Sequence, residues 1–203
     1  EATKSLIVGS ADGYVFRFDE AALRSRVQDD AAPTEMMPAT HPPLTAAVDL
    51  GQGRVAFSSD NSSNLLLYTL SQPSPAKWLP LEGPMASAAT PLGPGFLVPL
   101  KLGQVFYFNS NDGARLATPF QPRLDPGVTL EYKPAVAVGN DGRRFVITDG
   151  RQKVYLVALN DQPQPHLEEV KQGDVGPPPI ESPLVVVCDA VLAVAGGTNL
   201  LRF

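Results

Sequence analysis

Short apolar runs alternate with turn-forming residues along most of the chain. Five segments share one pattern: an apolar run, a turn rich in Gly, Asn or Asp, and then a run in which apolar and polar residues alternate. These segments are residues 5–19, 54–71, 95–109, 143–160 and 191–203. Alternation puts Tyr155, Val157 and Leu159 on one face of a strand. The pattern therefore predicts five β-hairpins.

Further short strands flank these hairpins. Small apolar runs precede the last four hairpins, at residues 44–50, 86–92, 133–139 and 182–189. A weaker outer strand follows, with examples at Lys77-Trp78-Leu79 and Arg115-Leu116-Ala117. The repeating unit is therefore an inner, a second, a third and an outer strand. Residues 20–27 are the only helix-like piece, and one helical turn after a strand is the expectation there.

The repeat has a measurable period. A bulky apolar residue ends each alternating run, and the intervals between these residues are 52, 38, 51 and 44, about 46 on average; the residues are Phe18, Leu70, Phe108, Leu159 and Phe203. Periods of about 40–50 residues are typical of the four-stranded blades of β-propellers. Differences in loop length account for the spread, so the strands themselves keep their spacing.

Residues 5–19 carry the clearest family signature. This segment resembles the PQQ-like repeat of quinoprotein dehydrogenases, which also occurs in non-enzymatic propellers, at Val8, Gly9, Ser10, Asp12, Gly13, Phe18 and Asp19. The resemblance implies an all-β propeller of four-stranded antiparallel blades, and it favours an extracytoplasmic location. We expect one domain over residues 1–203, with repeats at approximately 1–43, 44–84, 85–131, 132–181 and 182–203.

The first and last repeats are predicted to be incomplete. Ser5 already opens a second strand, and Phe203 ends a third strand, so an inner and an outer strand are missing from these two units. The two units cannot complete each other, because both supply the same two middle strands. The expectation is a larger propeller of seven or eight blades, closed by further residues or by another chain.

Composition and charge exclude several classes of function. The 203 residues are 43% hydrophobic and carry a formal net charge of −5, whereas nucleic-acid binders need positive charge to neutralise phosphates. No run of 18 apolar residues is present, so no membrane span is predicted within this chain. The single cysteine, Cys188, follows three valines and is predicted to be a small buried side chain.

No combination of residues amounts to a catalytic or metal site. The Asp- and Asn-rich segments at 60–64, 109–113 and 140–142 are interpreted as tight turns, since calcium needs six to eight converging oxygen ligands. His41 and His166 lie in different Pro-rich connections and are interpreted as solvated. No cofactor is predicted. The alternative left open by the resemblance is part of a PQQ- and calcium-dependent oxidoreductase whose active residues lie outside this chain.

The connections between repeats are the best candidates for binding. The connections from an outer strand to the next inner strand are long and Pro-rich, at 28–43, 80–84, 119–131 and 171–182, and they carry eight acids against two bases. Stiff acidic loops on one face suit a basic or polar protein partner. The candidate contact residues are Asp29, Asp30, Glu35, Met36, Met37, Asp125, Glu131, Asp174 and Glu181. The predicted function is a non-catalytic binding or assembly scaffold; the competing interpretation is that the acids only keep the loops solvated.

Overall fold

A computed structural model describes residues 5–24, 35–38, 43–59, 62–72, 74–123 and 130–203. Within these ranges the chain forms 17 β-strands in five sheets and one short helix, α1 (Glu20–Arg24). The first two sheets contain β1 (Ser5–Gly9), β2 (Tyr14–Asp19) and β3 (Glu35–Pro38), then β4 (Ala46–Gly51), β5 (Arg54–Ser58), β6 (Asn64–Thr69) and β7 (Ala76–Pro80). The third contains β8 (Thr90–Leu92), β9 (Gly95–Pro99) and β10 (Val105–Asn109). The last two contain β11 (Val136–Val138), β12 (Arg144–Thr148), β13 (Lys153–Asn160) and β14 (His166–Asp174), then β15 (Val185–Val187), β16 (Ala190–Ala195) and β17 (Asn199–Arg202).

The five sheets are the blades of a β-propeller. Within each sheet, every strand pairs antiparallel with its neighbour in sequence, so each sheet is a meander. The innermost strands meet in chain order: β4 contacts β8, β8 contacts β11, and β11 contacts β15. This confirms the predicted all-β fold with four-stranded antiparallel blades.

Alternation along each strand sends neighbouring side chains into different interfaces between blades. In β6, Leu65 and Leu67 pack with the third sheet, whereas Leu66 and Tyr68 pack towards the first. The same division in β12 places Phe145 and Val146 in separate clusters. A blade is covered on both faces, so its second strand is apolar on both sides, as the apolar run of each repeat indicated.

The turns between second and third strands occupy equivalent positions in the first, third and fifth sheets. Gly13, Gly103 and Gly196 each lie in such a turn, with φ of 78°, 92° and 57°. These left-handed values favour glycine, because a side chain would be strained there. The hairpin turns of the three sheets are therefore equivalent.

Two expectations about outer strands need correction. Glu35–Pro38 forms β3, which pairs with β2 through Phe16 and Met36, so this segment is an outer strand and the prediction of a loop is wrong. Backbone pairing with β2 makes this segment a strand, although its sequence has no alternating apolar pattern. Arg115-Leu116-Ala117 was expected to form a strand, but it contributes only an isolated bridge between Arg115 and Phe108.

The first and fifth sheets are three-stranded within the described ranges. The first contains the second, third and outer strands of the repeat, and the fifth contains the inner, second and third strands. The sequence predicted that the first repeat (1–43) lacks an inner strand and the last (182–203) an outer strand, and the strands of these two sheets agree with that prediction. The third sheet also has three strands, because its outer segment pairs only through isolated bridges.

Cys188 is exposed, so the prediction of a buried thiol is wrong. The apolar run that contains it is not one continuous strand. β15 ends at Val187, and Cys188 lies in the turn to β16 with φ of 54°. Val185, Val186 and Val187 are exposed as well, so the thiol follows an inner strand that is itself open to solvent.

Candidate functional site

One end of the blades carries the described parts of the connections before β8 and β11. In an antiparallel meander, the turns between second and third strands lie at the same end as the connections from an outer strand to the next inner strand. We call this end of the blades the loop face. It carries the β9–β10 turn at 100–104, the β12–β13 turn at 149–152 and the connections before β8 and β11.

A cavity of about 640 Å³ opens on the loop face where the inner strands β8 and β11 begin. Its wall contains Ala86–Ala88, Lys101 and the segment 130–134. Glu131 and Lys101 are exposed at its rim, and Lys133 is half-buried. A cavity of this volume can hold a side chain cluster or a small ligand.

Two hydrogen bonds hold the cavity wall in place, one from the Tyr132 hydroxyl and one between the backbones of Glu131 and Asp149. The Tyr132 hydroxyl donates to the carbonyl oxygen of Gly103 over 2.9 Å, which joins the third and fourth blades. The Glu131 amide donates to the carbonyl oxygen of Asp149 over 2.9 Å. Asp149 is itself held in its turn, because its Oδ1 accepts the amides of Arg151 and Lys153 at 2.8 and 3.0 Å. The loop that carries Glu131 is therefore preorganised by backbone contacts.

A smaller cavity of about 200 Å³ lies beside the first and shares Ala86–Ala88 with it. Hydroxyl groups dominate its polar lining, from Thr45, Ser58, Ser59 and Ser87. The Ser87 Oγ is inaccessible to solvent and has no hydrogen-bond partner. A buried hydroxyl without a partner costs free energy unless a bound group satisfies it. The two cavities together offer hydrogen-bonding groups across the mouths of three inner strands.

The predicted contact residues fall into three groups. Glu131 lies in the wall of the larger cavity. Asp174 is the last residue of β14, where its Oδ1 accepts the Gly176 amide at 2.9 Å, and Glu181 is exposed in the connection to β15. The backbone of Glu35, Met36 and Met37 forms β3, so these residues extend an outer strand; Asp29, Asp30 and Asp125 lie outside the described residues.

The sequence did not single out the basic and hydroxyl groups of this site. Lys101 comes from a second-to-third turn and Lys133 from the residues just before β11, and neither lies in the long connections. Lys101 could have been identified from the topology, because turns between second and third strands lie on the loop face and Lys101 is in such a turn. Glu82, by contrast, forms an ion pair with Arg115. The described part of the loop face is therefore mixed in charge.

The titration behaviour of the buried tyrosines indicates structural roles. Burial raises the pKa of Tyr132 well above its ordinary value, and the neighbouring Tyr155 and Asp149 raise it further. Burial also raises the pKa of Tyr155 to about 12, with Asp149 and Glu169 contributing. Phenols with raised pKa values keep their protons at neutral pH and act here as hydrogen-bond donors or as packing groups.

The acidic turns satisfy their own backbone. In the turn after β10, Asn109 Oδ1 accepts the Asn111 amide at 2.7 Å and Asp112 Oδ1 accepts the Ala114 amide at 2.9 Å. In the turn after β11, the Arg143 amide and then the Arg144 guanidinium lower the pKa of Asp141. These contacts support the interpretation as turns. Within the described ranges, no group of three or more His, Cys, Asp or Glu side chains is placed to hold a metal ion.

His166 is the first residue of β14, where the sequence predicted a connection. Its Nδ1 lies 2.8 Å from the carbonyl oxygen of Gln164, and its Nε2 lies 3.9 Å from Glu168. Both contacts are local to the strand start. His41 lies outside the described residues. As for membranes, none of the helices in the described part of the chain has the length and hydropathy that a bilayer span requires.

Solved structures with the same fold are numerous, although no family model and no curated protein matches the sequence. BamB from Moraxella catarrhalis is 15% identical over 98% of this chain and 58% of its own, with a TM-score of 0.69. The WD40 repeats of RRP9 are 14% identical over 97% of this chain and 58% of their own, with a TM-score of 0.67. A chain of the mitotic checkpoint complex is 12% identical over 98% of this chain and 60% of its own, with a TM-score of 0.66.

These matches establish the propeller architecture. The chain spans about three fifths of the length of the structures it matches. The resemblance to the PQQ-like repeat has weaker support, because neighbours with WD40 repeats match about as well as BamB does.

Proposed function

We propose that this chain is a non-catalytic binding or assembly scaffold that recognises a protein partner through its loop face. The observation that carries the proposal is the cavity of about 640 Å³ at the start of β8 and β11, lined from two connections and one turn between second and third strands. Sites built from several loops on a rigid sheet framework are typical recognition surfaces. The propeller neighbours support a role in protein interaction at this general level.

The chemistry of the loop face describes the partner. Glu131 and Glu181 are exposed acids, and the smaller cavity adds the hydroxyls of Ser58, Ser59 and Ser87. Acids and hydroxyls accept hydrogen bonds from lysine, arginine and amide donors. A polar protein segment that brings Lys or Arg side chains to Glu131 and Glu181, and acceptors to Lys133, therefore suits this mixed face. Asp29, Asp30 and Asp125 are further proposed contacts. An extracytoplasmic location remains a prediction from the repeat.

Paired variants on the two faces test this proposal. Glu131→Gln with Glu181→Gln removes two exposed charges from the loop face. Asp112→Asn with Asp161→Asn removes two exposed charges from the third-to-outer turns, which lie at the other end of the blades. Affinity capture from the source cells, quantified by mass spectrometry, should lose its specific partners with the first pair and keep them with the second. Equal loss from both pairs, or from neither, contradicts recognition through the loop face.

Salt dependence supplies a second readout once a partner is purified. Exposed charges are screened over about 8–10 Å at ionic strengths of about 0.1–0.15 M. The association rate with a basic partner should therefore fall as the salt concentration rises. In the variant that combines Glu131→Gln and Glu181→Gln, the association rate should depend less on the salt concentration. An association rate that salt does not change is inconsistent with a basic partner.

A further inference from the structure

The wall of the larger cavity on the loop face, the one of about 640 Å³, carries more positive than negative charge. Lys101 and Lys133 line this cavity, and Glu131 is the only carboxylate among the described residues that line it. Two lysines against one glutamate leave a formal charge of +1, in a chain whose net charge is −5. The cavity lies between the third and fourth blades, and each of them has a described blade on either side, so neither wall lies at an end of the described chain.

Lys133 places its charge in this wall without a partner among the described residues. Its side chain is half-buried, and no described carboxylate lies within ion-pair distance of it. The residues on either side hold its backbone in place. The Tyr132 hydroxyl donates to Gly103, and the carbonyl oxygen of Ala135 accepts the Thr90 hydroxyl at 3.0 Å. A partly buried ammonium group attracts an anion more strongly than one on an open surface, because less water screens the charge.

Ser87 supplies a hydroxyl group from the third blade. Its Oγ is buried and forms no hydrogen bond, although the residue lines both cavities of the loop face. A serine side chain has one rotatable bond, so a change between staggered positions can turn the hydroxyl towards a bound group. The hydroxyl gains a partner in this way that it lacks in the free protein, and the cost of leaving it unsatisfied is removed.

These groups describe the ligand that the cavity can hold. Ammonium and hydroxyl groups both donate hydrogen bonds, so the ligand accepts hydrogen bonds and carries negative charge. A single carboxylate balances the formal charge of +1 in the wall. A phosphate group carries a charge of about −1.5 to −2 at neutral pH and would leave excess negative charge beside Glu131. The volume of the cavity also leaves room for the apolar stem of an acidic side chain.

We infer that the larger cavity binds one carboxylate of the partner protein, through the ammonium group of Lys133 and the hydroxyl group of Ser87. Lys101 adds positive charge from the turn between β9 and β10. The inference rests on the proposed function, because it names a group that the loop face takes from its partner. Glu131 at the rim then contacts a basic residue of the same segment. The partner segment therefore carries an acidic residue close to a basic one.

Small probes test the cavity before any partner is known. The glutamic acid probe is N-acetyl-glutamic acid α-amide, which carries one side-chain carboxylate. The glutamine probe, N-acetyl-glutamine amide, has the same shape and no charge. Each probe is titrated into the isotope-labelled chain of 203 residues, and two-dimensional NMR follows the backbone amides. The glutamic acid probe should give saturable shifts at Ser87, Ala88 and Lys133, with a Kd on the order of 1 mM, and the glutamine probe should not.

Variants of the protein assign the binding to the two named side chains. Lys133→Gln and Ser87→Ala should each weaken the glutamic acid probe about two- to fivefold. Lys153→Gln is the matched control, since Lys153 is also half-buried near the loop face but does not line the cavity, and it should leave the affinity unchanged. Ser87→Ala should not lower the melting temperature, because it removes a buried hydroxyl that has no partner. A lower melting temperature with unchanged affinity would show that Ser87 acts only on stability.

Glu131→Gln separates this inference from the proposed function. It removes the one carboxylate of the described lining, so the glutamic acid probe should bind about two- to fivefold more tightly. The partner captured from cells should instead bind this variant more weakly, because its basic residue loses an acceptor. Probe binding together with capture that Glu131→Gln and Glu181→Gln leave intact contradicts the proposed function alone. Loss of capture in that pair without any probe binding contradicts the inference alone.

Three further outcomes would overturn the inference. Equal binding of the glutamine probe would show that the cavity does not recognise charge. Tighter binding of N-acetyl-phosphoserine amide than of the glutamic acid probe would assign the cavity to a phosphate group. Tighter binding of the glutamic acid probe to Asp125→Asn would show that a carboxylate of this chain competes for the site. N-acetyl-alanine, whose carboxylate is a chain terminus, distinguishes the two sources of a carboxylate: tighter binding than the glutamic acid probe keeps the inference and identifies the source as a C-terminus.

Discussion

The Tyr132 hydroxyl lies 2.9 Å from the carbonyl oxygen of Gly103, and this buried hydrogen bond joins the fourth blade to a turn of the third. It closes one side of the loop-face cavity, because Tyr132 is in the cavity wall and Gly103 is two residues from Lys101. The same contact therefore contributes to stability and to the geometry of the proposed site.

Tyr132→Phe should destabilise the chain by about 1–2 kcal/mol, because the Gly103 carbonyl loses a buried donor. Urea denaturation measures the change. Tyr14→Phe is the control, since Tyr14 is 38% exposed, and it should stay within about 0.5 kcal/mol of the original chain. A similar loss for both variants would indicate that the buried hydrogen bond has no special role.

Stability should fall in alkaline solution through the buried tyrosines. Tyr155 has its pKa raised from 10.0 to about 12, so the folded state holds the phenolic proton more tightly than the unfolded state. This contribution is complete below about pH 10 and is lost as the pH rises towards 12. Thermal unfolding measured at successive pH values should show the decline. Tyr155→Phe keeps the ring that packs 5.5 Å from Phe120, measured between centroids, and should flatten the pH dependence in this window.

Two glycines with similar backbone angles should respond differently to alanine. Gly150 has φ of 71° and Gly176 has φ of 64°, so both substitutions incur the left-handed strain of about 1–2 kcal/mol. A Cβ on Gly150 would also collide with the carbonyl oxygen of Glu131, whereas nothing is within 4 Å of a Cβ on Gly176. Chemical denaturation should therefore show a larger loss for Gly150→Ala, by about 1–3 kcal/mol. Equal losses of unfolding free energy for the two variants would mean that the loop containing Glu131 can move away from the new side chain at little cost.

Added PQQ and calcium should leave the melting temperature unchanged. A ligand that binds only the folded state raises stability according to its concentration relative to its Kd. None of the candidate site residues is predicted to bind a quinone or a calcium ion. Differential scanning calorimetry with and without both additives measures the response, and only a rise discriminates, because the quinoprotein alternative places its active residues outside these 203 residues. A concentration-dependent rise would favour the alternative.

The sequence predicted strands well because alternation is a local property. The hairpin at residues 143–160 corresponds to β12 and β13, and the turns at Gly13 and Gly103 are in equivalent positions. Pairing partners are less local. β3 was missed because Glu35–Pro38 has no alternating apolar pattern, and its strand state depends on the neighbouring edge of β2.

The candidate site was predicted only in part, for a related reason. Glu131 was identified because it lies in a long connection, and it does line the cavity. Lys101 and Ser87 were not, because their positions at the cavity depend on how blades meet and not on the residues beside them. Cys188 shows the opposite error: three valines indicated burial, but the strand Val185–Val187 and the thiol after it are all exposed.

The division of side chains between interfaces also governs how substitutions combine. Leu66 and Leu67 are adjacent in sequence, yet they belong to different clusters, whereas Leu67 and Val98 share a cluster across two blades. Changes in free energy add when residues have no common partners and deviate from additivity when they do. Sequence distance is therefore a poor guide to energetic coupling in this molecule. Residues that share an interface between blades constrain one another, so one face of a strand can accumulate substitutions while the other face stays constrained.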